Sequence, residues 1–456
     1  MVHDMTPYDR WFLASHQEQV AAGLPGHLCL LRLDLSGSLD VGRLRAAVAA
    51  AIRRHPITAA RVRWRPLSGR AYWAVDPAEV PAPGDAPVIS WDLRSDASPQ
   101  RSADEILTLR LREPQDPGAT PQVRLLHFRL GTQAHQVVLR WPHYLMDLEG
   151  ARLFMQSVAE ADRGAVEGDG SSVPPTEPPG WGRRRIRRTW QGLRAQWRLA
   201  RADNAIRTSR QTPNVAAASF LFRTWEAPIV TGLDRAAARL VQTGPLARTR
   251  VLLGAVLEAM DEMHESLGLD GKQYVVPLPL GVPREGPRRT ATMNDITIPA
   301  IVAHRGLFSE PAALDAELAR QIRAYRDSGL EEATWRVMTF AGLLRGLHYR
   351  WMIRRTLGRP RWTVGFTHYR APPAGFARLA GCRVDNLMAC GLPPVPPGLM
   401  LSFCRYGDRL NLGAAYHNHV WSAAEMEALL ARIDAHLQQR ALAVGAAPRT
   451  LRSTPG

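Results

Sequence analysis

The sequence predicts a mixed α/β protein of two lobes, each a mixed sheet flanked by helices, and three observations predict it. Strand-like runs with alternating apolar positions are interleaved with helix-spaced segments along the chain. Both halves share this character, and a Gly-, Pro- and Ser-rich stretch, "GAVEGDGSSVPPTEPPG" at 164–180, lies between them. The 456 residues suffice for a core in each half. The expected division is an N-terminal lobe over 1–165, a linker with an Arg-rich helix over 166–212, and a C-terminal lobe over 213–456.

The N-terminus "MVHDMTPYDRWFL" has no basic region followed by an apolar one, so it does not read as a signal peptide. "HLCLLRLDLSG" (27–37) alternates and ends in a turn, predicting a strand. "LDVGRLRAAVAAAIRRHP" (39–56) carries Leu44, Ala47, Val48 and Ile52 at helical spacing, with Asp40 as N-cap and Pro56 as the stop. "ITAARVRW" and "AYWAV" predict a hairpin, and "QVRLLHFRL" and "HQVVLRW" two more strands joined at 131–134. "LEGARLFMQSVAEA" (148–161) predicts an amphipathic helix.

The segment 181–210 holds ten arginines and one acidic residue, Asp203. Ile186, Trp190, Leu193 and Trp197 form one apolar stripe on it, with Arg184, Arg187 and Arg194 among the surrounding charges. Three readings stand: a helix lying on an anionic membrane, a dock for an acidic acyl carrier protein, or a stripe packed on the body with solvated arginines. A second basic segment with aromatics, 344–362, favours a membrane-side surface. Around it the C-terminal half reads as strands ("ASFLFRTWEAP", "QYVVPLPLGVPRE", "RWTVGFTHY", "GLMLSFCRYGDRLNLGAAYH") and helices (248–268, "EPAALDAELARQIRAYRD", "SAAEMEALLARIDAHLQQ").

A net charge of +16 favours anionic partners, but no nucleic-acid-binding motif accompanies it. Cys29, Cys382, Cys390 and Cys404 lack CxxC spacing and nearby His pairs, so neither a zinc site nor a disulfide framework is expected. No run reaches the roughly 18 apolar residues a spanning helix needs. The expected location is cytoplasmic, with peripheral attachment to the inner membrane surface.

The stretch that carries chemistry is "RWPHYLMDLEGARLF" (140–154), where His143 and Asp147 stand between a predicted strand and a predicted helix. Histidine titrates near neutral pH, as a general base must, and a loop at a strand end lies where clefts form. Two readings fit the residues: a base whose loop is fixed by Asp147, or a loop histidine beside a helix N-cap.

Around this motif the chain resembles the HxxxD acyltransferase superfamily, which includes chloramphenicol acetyltransferase, peptide condensation domains, BAHD acyltransferases and wax ester synthases. Residues 33–64 are similar to the "RHPxLR" region of condensation domains. "PHYLMDLEG" stands where these carry HHxxxDG, and "VVPLPLGVPREGPRRTATMND" resembles their Arg-containing, Asn-ending segment. Pro142 replaces the first His, Leu148 the usual Gly after the Asp, and Ala59 the Arg of "LRxRF".

The resemblance implies two chloramphenicol acetyltransferase-like lobes with a tunnel between them, and acyl transfer from a CoA or carrier-protein thioester to a hydroxyl or amine. It makes His143 the base and turns Asp147 toward an arginine, for which Arg284 is the candidate. Thr367 and Asn294 are the candidates for binding the oxyanion or substrate. Arg284 reads equally as a solvated loop residue, and Thr367 and Asn294 as ordinary polar groups. No metal or redox cofactor is implied; acyl-CoA or a phosphopantetheine-linked acyl group is substrate. Two alternatives remain open. One is a free-standing condensation enzyme forming an amide between carrier-bound substrates; the other is a non-catalytic carrier- or membrane-binding protein on the same scaffold.

Overall fold

The computed structural model describes residues 1–164, 218–240, 246–269, 272–281, 291–294, 296–327, 335, 338–339, 351, 362–369, 376–395 and 397–443. Arg284, Arg184, Arg187, Trp190, Arg194 and Trp197 lie outside them.

The chain begins with a short strand, β1 (Val2–Asp4), and a helix, α1 (Pro7–Ala21). Thr6 and Asp9 close a reciprocal capping box at the helix start, and Pro7 needs no helical partner there. β2 (Leu28–Ser36) is buried at nearly every position because both its faces are covered. α2 (Val41–Arg54) starts where Asp40 caps Gly42 and Arg43, and a short 3-10 turn beginning at Pro56 follows it. β3 (Arg61–Trp64) and β4 (Ala71–Ala74) form the predicted hairpin, and β1 adds to its edge. β5 (Val88–Asp92), α3 (Pro99–Arg112), β6 (Arg124–Arg129), β7 (Ala134–Pro142) and α4 (Leu148–Asp162) complete the first half.

The second half runs through β8 (Ala218–Trp225), α5 (Ile229–Arg239), α6 (Ala247–Ser266), β9 (Gln273–Pro277), β10 (Leu280–Gly281), β11 (Ile296–Thr297), β12 (Ala300–His304) and α7 (Pro311–Asp327). It ends with β13 (Gly365–Tyr369), β14 (Arg378–Leu379), β15 (Cys382–Gly391), β16 (Leu399–Tyr406), β17 (Arg409–His417) and α8 (Ala423–Ala443).

Two larger sheets organise these elements. The first has the order β14-β15-β2-β7-β6-β5, with only β5 and β6 parallel. Leu31, Leu33 and Leu35 of β2 face a core completed by Val48 and Ile52 of α2 and by Phe154 and Val158 of α4. On the opposite face Leu28 and Leu30 meet Leu107 and Leu111 of α3, with Ala218 and Ala415 of the second half. The second sheet, β13-β16-β17-β8, shares its core with Leu233, Val256, Leu430 and Ile433 of α5, α6 and α8.

The halves also exchange a strand. β14 and β15 belong to the C-terminal half by sequence, yet β15 pairs with β2 in the first sheet, a crossing that a partition at residue 213 does not anticipate. Asn411 of β17 anchors it: its amide nitrogen donates to Leu387 O at 2.9 Å and to Asn386 Oδ1 at 2.8 Å. At Gly413 the strands approach so closely that an added Cβ would lie 2.5 Å from Ala389 O.

The four cysteines are buried and free. Among the described residues no helix is long and apolar enough to cross a membrane, and no cluster of His, Cys, Asp and Glu could hold a metal ion. His417, a strand-end histidine, uses its ring for Pro393 O at 3.0 Å.

Candidate active site

β7 ends at Pro142 and α4 begins at Leu148, so the loop 143–147 carries the motif between a central strand and a covering helix. Its shape is fixed mostly by its own backbone. Leu145 N–H donates to Pro142 O at 3.0 Å, and the Trp141 indole donates to Met146 O at 2.9 Å. His143 N–H donates to His27 O at 2.9 Å, tying the loop to the start of β2.

A segment from the other half grips the loop from above. Met293 N–H donates to Leu145 O at 2.9 Å, and Met293 O accepts from Asp147 N–H at 3.4 Å. Met293 itself sits at φ 122°, a conformation costly for a side chain and held only where its surroundings enforce it. The next residue, Asn294, donates its side-chain amide to His143 O at 2.7 Å and to Asp9 Oδ1 at 2.9 Å. Both amide hydrogens are therefore used. Asn294 is not available to an oxyanion; it holds the backbone of the histidine.

His143 is half-buried. Its ring stacks on Phe12 of α1 at 3.8 Å between centroids and 18° between planes, and lies 4.7 Å from the His27 ring. Burial pulls its pKa below the usual histidine value; its own backbone, Asp147 and Asn294 oppose the shift. The ring is thus a neutral imidazole at pH 7, as a base requires. Its Nδ1 is buried, which leaves Nε2 for the accessible side.

Asp147 is buried and caps α4, its Oδ1 accepting from Gly150 N–H at 2.8 Å. The N-cap reading of this residue therefore holds; its expected partner, Arg284, lies outside the described residues. Aspartate and asparagine cap about equally, and removing a cap costs roughly 1 kcal/mol. Asp147→Ala should lower stability by at least that amount in urea denaturation, and by more than Asp147→Asn, which keeps the cap. If the charge of Asp147 is needed by the site, Asp147→Asn will lose activity out of proportion to its loss of stability.

Thr367 lies half-buried on β13, opposite Ser402 of β16, and no hydrogen bond joins it to His143 among the described residues. Its neighbour His368 meets Thr249 Oγ1 at 2.8 Å. Two residues along, the Tyr369 phenol donates to Glu149 Oε2 at 3.2 Å, so β13 of the second sheet reaches the first turn of α4.

The local sequence reading missed α1 as part of the site. Asp9, Phe12 and His16 stand on one helix face, at Asn294, at the His143 ring and at the start of β2. His16 accepts from His27 N–H at Nδ1 (3.0 Å) and donates from Nε2 to Gln115 O (2.9 Å), so it is neutral in a fixed tautomer. Gly26, at φ 87°, gives it room: a Cβ there would fall 2.4 Å from the ring. The signal that could have found this platform is "TPYD", a capping box with Pro at the first helical position.

Burial lowers the His16 pKa from 6.5 to about 4. The unfolded chain takes up a proton first as pH falls, so this contribution is full above pH 6.5 and is lost progressively toward pH 4. It amounts to something on the order of 3 kcal/mol. Urea midpoints should fall across that window, and His16→Gln should flatten the fall. A wild-type midpoint unchanged across it would contradict a buried neutral His16.

No family model matches the chain, and no curated protein matches it. Solved structures do. The first condensation domain of the calcium-dependent antibiotic synthetase, in complex with a substrate analogue, is 18% identical over 98% of both chains, with a TM-score of 0.70. Trichothecene 15-O-acetyltransferase from Fusarium sporotrichioides is 11% identical over 96% of this chain and 95% of its own, with a TM-score of 0.71. A mutant starter condensation domain of rhizomide synthetase, in complex with C8-CoA and Leu-SNAC, is 15% identical over 98% and 95%, with a TM-score of 0.65. The likeness is one of fold, and that fold is the two-lobed one of condensation domains and chloramphenicol acetyltransferase-like acyltransferases.

Proposed function

We propose that this protein transfers an acyl group from a CoA or carrier-protein thioester to an amine or hydroxyl, with His143 as general base. One observation carries the reading: a half-buried imidazole stands at a loop gripped by both halves of the chain, its ring stacked on Phe12. His143 takes the proton of the acceptor as the acceptor's nitrogen or oxygen attacks the thioester carbonyl. The tetrahedral intermediate collapses, the C–S bond breaks, and the leaving thiolate takes that proton back from the imidazolium, which restores the neutral base. Asp147 shapes the loop through its cap on α4 and, in this reading, through Arg284. The two substrates approach along a passage between the lobes.

A second reading, amide formation between two carrier-bound substrates, is favoured by the end-to-end likeness to condensation domains. The acceptor separates the two. Purified protein with C8-CoA is offered either Leu-SNAC or a medium-chain alcohol, and products are identified by mass. An octanoyl amide favours condensation, and an octanoyl ester favours O-acyl transfer. No acyl product from any thioester donor, CoA- or carrier-linked, would sink both and leave a non-catalytic binding protein.

A further inference from the structure

We infer that Asp9 and Asn294 are positioning residues for His143, acting through its backbone carbonyl. The inference rests on His143 being the base and adds what holds that base in register. Asn294 has two amide hydrogens, and Asp9 Oδ1 and His143 O take both. A flipped amide would set its oxygen against two other oxygens, so the network itself fixes the orientation. Asn294 Oδ1 is then left buried without a partner among the described residues, a cost the arrangement carries.

Asp9 is fixed in turn. Its carboxylate accepts from Thr6 N–H at 2.9 Å in the capping box and from Asn294 N–H at 2.8 Å. It is 2% exposed, and burial raises its pKa against the opposing hydrogen bonds of Asn294 and Thr6. The chain of contacts therefore runs from the α1 N-terminus, through a residue 285 positions away, to the backbone oxygen of His143. His27 holds the same residue from its N–H side. In this inference the carbonyl fixed by Asn294 is what keeps the proton on Nδ1 and so presents the Nε2 lone pair to the acceptor.

Tautomer and turnover test this separately. In ¹⁵N-histidine-labelled protein, His143 should show one tautomer in the wild type and a mixture in Asn294→Ala. In the same variant kcat should fall about 100-fold, the scale of a misplacement near 1 Å, with KM for C8-CoA within about twofold. The double variant Asp9→Asn/Asn294→Asp restores the amide–carboxylate link between the halves but turns a carboxylate on His143 O. It should recover stability and leave the tautomers mixed. A single tautomer in Asn294→Ala, or a double variant that restores the tautomer along with stability, would overturn the inference. Should Asn294→Ala not fold, the double variant decides it. Absent turnover in the wild type would count against the acyltransferase reading alone, because the tautomer measurement stands without it.

Discussion

His143→Ala is expected to lower the rate of acyl transfer by about 10²- to 10⁴-fold, the contribution of a positioned general base, while leaving the fold intact. The fold should survive because the loop is held by groups that alanine keeps. The backbone N–H of residue 143 still reaches His27 O, its carbonyl still accepts from Asn294, and Trp141 and Met293 still brace positions 145 and 146. What is lost is the ring and its stack on Phe12. The pH dependence carries the same signature. A base works in its neutral form, so activity falls as pH drops through the His143 pKa. Burial holds that pKa below 6.5, and the acid limb should therefore lie on the acid side of an ordinary histidine. A stable His143→Ala variant with wild-type turnover would remove the residue from the mechanism.

Gly413→Ala is expected to give the largest loss of stability, about 3 kcal/mol or more. The added methyl would meet Ala389 O at 2.5 Å, Cys390 Cβ at 3.1 Å and Ala389 C at 3.4 Å. The nearest obstacle is backbone, and it cannot turn aside as a side chain would. β17 is paired on both edges, with Gly413 opposite Ser402 and Phe222, and β15 is bound along its length to β2. Relief thus requires one sheet to move against the other and loosens the Asn411–Asn386 pair as well. Gly306→Ala, which meets nothing within 4 Å, is the control. Equal urea midpoints for the two variants would show that the sheets are not in close contact at this point.

How much of this was legible in the sequence depends on the distance between partners. The N-cap at Asp40, the hairpin 61–74 and the strand before His143 are set by neighbours within a turn, and the residue pattern carries them. The HxxxD spacing placed His143 at a strand end and Asp147 at a helix start for the same reason. The site's other half was not legible. Asp9 and Asn294 meet across 285 positions, and neither pattern nor spacing links them. The resemblance makes Asn294 a candidate for the oxyanion because it calls for donors from the second lobe; the geometry spends that amide on His143 O instead. β15 reads as an ordinary strand of the second half, and only its pairing with β2 reveals the crossing.

A structure of the wild-type protein soaked with C8-CoA and Leu-SNAC tests the central claim most directly. The account predicts the acceptor nitrogen within hydrogen-bond reach of His143 Nε2, roughly 3 Å, with the thioester carbonyl beside it. Ligands bound with His143 shut off from both of them would contradict it.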